Sequence, residues 1–243
     1  MQRYKIKPYL TLSKTIFEEV NFLSHFYFER YSTSAERVLG TLLPDLLKNV
    51  DKQYNFQPQR YEEVFLANAV TSQILSGWYR HVEVDKLFHS SPYFMQHCHN
   101  LRKLLVPVLE GLPIRPSFMA HIAVELMLDH LLIREKMVNP LRLYEHLEAV
   151  PASVIKRSLG LLDTVDVPKF MDFYERFLSS RYIMQYAETK NVSYALFNIC
   201  KRIWVFEVSD EQRQALTELL EEYLERQMKD FVSVFHYIQE ELS

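Results

Sequence analysis

The segment "SFMAHIAVELMLDHLLIRE", residues 117–135, decides the fold class of this chain. When it is wound as a helix of 3.6 residues per turn, apolar residues cover nearly its whole circumference. Such a helix is expected to be central and buried, because other helices must cover its apolar surface. Polar side chains interrupt that surface at only four positions, namely His121, Glu125, Asp129 and His130. The first three follow at four-residue steps and form one stripe, and its two buried carboxylates need a cation, a proton or hydrogen bonds.

The rest of the chain carries the same helical periodicity. Apolar residues recur at three- and four-residue steps in "PQRYEEVFLANAVTSQILSGWYRHVEVDKLFHS", residues 58–90, which predicts one long helix or two abutting ones. Further helices are predicted at 93–110, 116–136, 140–147, 151–163, 167–179, 181–187, 191–206 and 209–242. No convincing alternating run predicts a strand. The sequence therefore predicts an all-α fold, a single compact helical domain over residues 21–243 with a central buried helix.

Composition narrows the classes of function. The chain has 243 residues, 48% of them hydrophobic, and a net charge of −3, which is typical of a core-forming domain and not of a bulk nucleic-acid binder. Four glycines and no glycine-rich phosphate motif exclude Rossmann and P-loop folds. The two cysteines, Cys98 and Cys200, lack Cys-x-x-Cys spacing and favour a reducing cytoplasm. Without an apolar leader or eighteen uninterrupted apolar residues, neither secretion nor a membrane span is predicted.

A second polar stripe lies in "HVEVDKLFH", residues 81–89. It places His81, Asp85 and His89 at four-residue steps, and imidazole with carboxylate is the ligand mixture of Mn, Fe, Zn and Mg sites. A solvated helix face is the alternative interpretation of this stripe taken alone. The segment "NFLSHFYFERYSTSAERVLGTLLPDLLKN", residues 21–49, adds His25 and Asp45, each among apolar neighbours. Together the three segments offer more ligands than one metal ion needs.

Four short motifs carry a resemblance to a known family. In order, "NFLSH", "GTLLPDLLKN", "GWYRHVEVDKLFH" and "VELMLDHLL" resemble the motifs of the acyl carrier protein phosphodiesterases, helical relatives of the HD-domain phosphohydrolases. The later segments "RYIMQYAETKNVSYALFNICKR" and "FVSVFHYIQEEL" extend the resemblance over roughly residues 21–242. It implies an HD-like fold and a manganese-dependent hydrolase that releases 4′-phosphopantetheine from a serine of holo acyl carrier protein in the cytoplasm. Mg²⁺ and Fe²⁺ are the alternative metals.

The resemblance also implies roles for particular residues. The metal ligands expected from it and from the two stripes are His25, Asp45, His81, Asp85, His89, Glu125 and Asp129. Asp45 is expected to be catalytic, either as a ligand or as a base that orients water. His130 is expected either to orient a ligand or to protonate the leaving group. We expect these eight side chains to line one cavity, because a polar stripe on a buried helix needs partners from neighbouring helices.

Three positions depart from the family pattern. His89 and Glu125 stand where the family favours aspartate, and Tyr79 stands where it often has histidine. Both replacements at ligand positions can bind metal, so a metal site remains expected while the substrate stays open. The alternatives are a metal-dependent phosphohydrolase of a nucleotide or small phosphoester, and a helical interaction protein with a decayed site. An acidic carrier protein would meet the basic residues Lys156, Arg157, Lys190, Lys201 and Arg202.

The resemblance begins at Asn21, and relatives typically start at a methionine directly before that asparagine. Here the place is held by Val20, and valine is what a GUG start codon gives in conceptual translation. We therefore expect the natural chain to start at Val20, decoded as methionine, and residues 1–19 of the N-terminal extension at 1–20 to be a start-site artefact or a dispensable arm. The alternative is a genuine short helix that packs on the domain.

Overall fold

The computed structural model describes residues 21–243, and the expected start at Val20 lies outside them. Within this part of the chain, twelve α-helices and two 3₁₀ helices follow one another without a strand. The α-helices are α1 (Phe22–Tyr27), α2 (Ala35–Val50), α3 (Glu62–Leu66), α4 (Ala69–Ser90), α5 (Pro92–Val108), α6 (Pro116–Arg134), α7 (Pro140–Ala149), α8 (Ala152–Leu159), α9 (Val167–Ser180), α10 (Thr189–Lys201), α11 (Asp210–Gln227) and α12 (Val232–Glu241). The 3₁₀ helices span Pro58–Arg60 and Tyr182–Ala187. The predicted all-α class is confirmed.

Helix α6 is the central helix that its sequence predicts. It begins with Pro116 at its first turn and is buried at fourteen positions, including Glu125, Asp129 and His130. The helices that pack on it include α1, α5 and α10. By length and composition α6 is also long and apolar enough to cross a membrane, but 78% of that stretch is buried inside the protein. Its polar stripe therefore faces other helices.

Two glycines let α2 and α4 cross with their backbones in contact. A Cβ atom on Gly40 would lie 2.0 Å from the carbonyl oxygen of Ile74, and one on Gly77 would lie 2.0 Å from that of Arg37. Since real Cβ atoms essentially never come closer than 3.0 Å to such atoms, only glycine fits at either position. Asp45 and His81 each follow their glycine by little more than one turn. The close crossing therefore brings a carboxylate and an imidazole to the same level of the fold.

Some helix ends differ from the sequence prediction. The segment predicted as one helix at 209–242 forms two, α11 and α12, with a turn at residues 228–231. Neither glycine nor proline marks this turn, so the usual breaking signal is absent. The segment at 58–90 forms a 3₁₀ turn and two helices. Helix α3 ends at Leu66, and Asn68 caps α4 by accepting a hydrogen bond from Val70 N.

Candidate metal centre

Three helices bring His25, Asp45 and His81 together in the interior. One donor atom from each residue lies within 4.8 Å of the other two, and the side chains are at most 3% exposed. The imidazole rings of His25 and His81 stack with centroids 4.0 Å apart. Nε2 of His81 lies 3.6 Å from Oδ1 of Asp45. Two imidazoles and one carboxylate at this spacing form a donor set for a divalent metal ion.

The helix crossing selects the tautomer of His81. Its Nδ1 lies 2.8 Å from the backbone carbonyl oxygen of Thr41, the residue after Gly40. A carbonyl oxygen can only accept, so Nδ1 carries the hydrogen and donates it. Nε2 then keeps its lone pair and faces Asp45, which is the tautomer that metal-binding histidines adopt. The backbone of α2 thus prepares a side chain of α4 for coordination.

Asp129 holds the start of α1. Its Oδ2 accepts a hydrogen bond from Leu23 N at 3.0 Å, and its Oδ1 accepts from Ser24 N at 2.8 Å and Ser24 Oγ at 2.7 Å. These bonds satisfy amide groups that the first turn of a helix leaves without partners. Burial raises the pKa of Asp129 to about 7, although the bonds from Ser24 and Leu23 act in the opposite direction. Asp129 thus positions His25, which directly follows Ser24. The role of Asp129 as a metal ligand stays a prediction.

His130 is tied to the second 3₁₀ helix. Its Nδ1 donates to the carbonyl oxygen of Tyr186 at 2.7 Å. Burial lowers the pKa of His130 although this hydrogen bond acts in the opposite direction. A neutral imidazole with its Nδ1 hydrogen committed has only an acceptor left at Nε2. The geometry therefore favours a positioning role for His130 over protonation of a leaving group.

A second group of donors lies where α4 ends and α5 begins. Nε2 of His89 and Nε2 of His121 lie 3.0 and 3.1 Å from the same oxygen, Oε1 of Glu125. Nδ1 of His89 lies 2.9 Å from Oδ1 of Asp85. Burial opposes a charge on His89, but hydrogen bonds to Asp85 and Glu125 and their charges outweigh it and raise its pKa to about 11. Burial likewise opposes ionisation of Glu125, but His121 and His89 together hold its pKa below the ordinary value.

The donors that lie close enough to share a metal ion form two groups, and the prediction that all eight residues line one cavity stays a prediction. His81 belongs to the first group and His89 to the second. Their separation of eight positions corresponds to about 12 Å along α4, at 1.5 Å per residue, which is too far for one metal ion. His121 lies in the stripe of α6 but is not among the expected ligands. Its four-residue step to Glu125 is the sequence signal for its place in the second group.

Tyrosine side chains and an arginine border the first group. Burial raises the pKa of Tyr182 and of Tyr186 well above the ordinary value, and the charge of Asp129 contributes to both shifts. The charge of Asp45 also contributes to the shift of Tyr182. Arg202 donates a hydrogen bond from Nη1 to Oδ1 of Asn49 on α2 at 3.0 Å. The charges of these carboxylates therefore act on buried phenol groups, and Arg202 contacts α2 four residues after Asp45.

No family model, no curated protein and no solved structure matches the chain. The HD-like character of the fold and the relation to the acyl carrier protein phosphodiesterases therefore rest on the sequence motifs. What the structure adds is independent of any relative, since it shows a buried donor set that fits a divalent ion.

Proposed function

We propose that this protein is a metal-dependent phosphodiester hydrolase that releases 4′-phosphopantetheine from holo acyl carrier protein. The observation that carries the proposal is the buried group of His25, Asp45 and His81, whose donor atoms lie within 4.8 Å of one another. A purely structural interior seldom contains two imidazoles and a carboxylate so close together without a ligand, because burying them is costly.

The chemistry of the substrate calls for such a site. A phosphodiester carries negative charge and has a poor leaving group, so a cation held by these residues would polarise a phosphoryl oxygen and acidify water. In the hydrolysis, the oxygen of water bonds to phosphorus, the bond between phosphorus and the serine oxygen breaks, and that oxygen takes a proton. Asp45 provides the carboxylate that holds the cation or orients the water. His81 presents Nε2 to the cation because its Nδ1 hydrogen is donated to the carbonyl oxygen of Thr41.

The carrier-protein substrate is supported by the sequence motifs and by one electrostatic feature. Arg202 belongs to the basic residues expected to meet an acidic partner, and its guanidinium reaches Asn49, four residues after Asp45. A cation beside the helix that bears Asp45 is where an acidic protein or a phosphate would gain from charge complementarity.

The proposal is tested by incubating the full chain with Mn²⁺ and holo acyl carrier protein and following the loss of phosphopantetheine by mass spectrometry. We expect Asp45→Asn and His81→Gln to reduce the rate more than about 100-fold, because each removes a ligand. His146→Gln is the matched control, since His146 is buried on α7 outside both donor groups and should leave the rate unchanged.

Three outcomes would move the assignment elsewhere. Turnover of a nucleotide or a nitrophenyl phosphodiester without turnover of the carrier protein would favour the small-phosphoester alternative. Failure to bind Mn²⁺ together with absence of all turnover would favour the helical interaction protein. Turnover that survives in both Asp45→Asn and His81→Gln would overturn the site itself.

A further inference from the structure

The second donor group is formed by His89, His121 and Glu125 at the corner between α4, α5 and α6. We infer that these three residues bind a Zn²⁺-like divalent ion, at a site separate from the proposed catalytic centre. Two imidazoles and a glutamate are a ligand set that zinc uses where it keeps a fourth position open. The inference does not depend on hydrolysis of any substrate.

The spacing of the donors suits a tetrahedral ion. Zinc bonds of 2.0–2.1 Å place neighbouring ligand atoms about 3.4 Å apart in a tetrahedron. The observed separations are 3.0 Å from His89 Nε2 to Glu125 Oε1 and 3.1 Å from His121 Nε2 to the same oxygen. The three donor atoms all lie within 4.8 Å of one another, so an ion could be held between them after adjustment of the side chains.

Glu125 gives a second, independent indication. Its side chain is completely buried, and both imidazoles approach Oε1. Among residues 21–243, no hydrogen-bond partner reaches the other oxygen, Oε2. A buried carboxylate oxygen without a partner is costly, and coordination to a cation would remove that cost.

Neighbouring groups hold the two imidazoles in place. Nδ1 of His89 lies 3.0 Å from the backbone carbonyl oxygen of Asp85, its hydrogen-bond acceptor, and 2.9 Å from Oδ1 of the same residue, so Asp85 orients this imidazole. The ring of Phe94 meets those of His89 and His121 edge-on, at 4.9 Å in each case. The two imidazoles are nearly parallel, 12° apart. The side chain of His89 is 26% exposed, so an ion here could keep a water ligand facing solvent.

The test counts metal ions in the purified, metal-stripped full chain. Titration with Co²⁺, read by its visible absorption, and Zn²⁺ content after dialysis report occupancy without any substrate. We expect His121→Gln and Glu125→Gln each to remove one equivalent that Asp45→Asn retains. Asp85→Asn, which leaves all three ligands in place, should weaken that equivalent about 10- to 100-fold.

Two outcomes would overturn the inference. One is His121→Gln binding Co²⁺ and Zn²⁺ as the unaltered protein does. The other is His121→Gln and Asp45→Asn abolishing the same single equivalent, which would mean one shared site. His121 lies at the edge of the interior, 16% exposed, so its replacement by glutamine should leave the fold intact. Loss of the hydrolytic activity alone would bear on the proposed function and leave this result unaffected.

Discussion

Replacing Gly77 by alanine should separate α2 from α4 and weaken metal binding at the candidate centre. The new Cβ would lie 2.0 Å from the carbonyl oxygen of Arg37, whereas ordinary contact begins at 3.4 Å. The helices must therefore move apart by about 1.4 Å, and overpacking of this kind costs about 1–3 kcal/mol. The better helix propensity of alanine offsets about 1 kcal/mol of this. Loss of the 2.8 Å hydrogen bond from His81 to Thr41 lowers the free energy of unfolding by about 1 kcal/mol more.

The net loss in the free energy of unfolding is thus about 1–3 kcal/mol, measured by urea denaturation. Metal affinity should also fall, about 10- to 100-fold, because Nδ1 of His81 loses the acceptor that fixes its tautomer. Gly160→Ala is the matched control, since its Cβ would approach no atom closer than 3.3 Å and should change stability by less than about 0.5 kcal/mol. Unchanged stability and Mn²⁺ affinity in Gly77→Ala would refute the close crossing as the basis of the site.

Two further predictions concern stability. Asp129→Asn should lower the free energy of unfolding by about 1.5–3 kcal/mol, because the amide nitrogen that replaces one oxygen cannot accept the bond made there by Leu23 or those made by Ser24; unchanged urea denaturation would contradict this. Burial lowers the pKa of His97, whose Nδ1 lies 2.9 Å from Tyr223 Oη, so the unfolded chain takes up a proton below pH 6.5 that the folded protein does not. Stability should therefore fall as the pH drops from about 7 to 5, and His97→Gln should reduce that slope by at most about 1.4 kcal/mol per pH unit, measured by urea denaturation at each pH. Equal slopes in both proteins would exclude this role for His97.

The fold class could be predicted because hydrophobic periodicity is a local signal. The segment at 117–135 has apolar residues on all sides, and the structure buries it as α6. The break between α11 and α12 could not be predicted, since residues 228–231 carry no glycine or proline. Buried contacts of Met228 and Phe231 with the core coincide with the break, and such tertiary contacts are not visible in a local pattern.

The site was predictable in its residues but not in its grouping. The four-residue steps of the two stripes select donors on helix faces, and five of these six residues lie in the two donor groups or contact them. The division of these residues into two groups depends on the distance between the two ends of each stripe and on the neighbouring helix that each end contacts. The carbonyl of Thr41 and the amides of Leu23 and Ser24 were also missed, because backbone groups have no sequence signature.

The hydrogen bonds between the start of α1 and Asp129 have a consequence for biosynthesis. Leu23 precedes Asp129 by 106 residues, so the bonded start of α1 can form only after more than a hundred further residues have been made. At about 5–20 residues per second, a ribosome needs roughly 5–20 s for that stretch. During this interval His25 is made without the bonds to Asp129 that hold the start of α1. We therefore expect the proposed ion to be acquired only after α6 has been made.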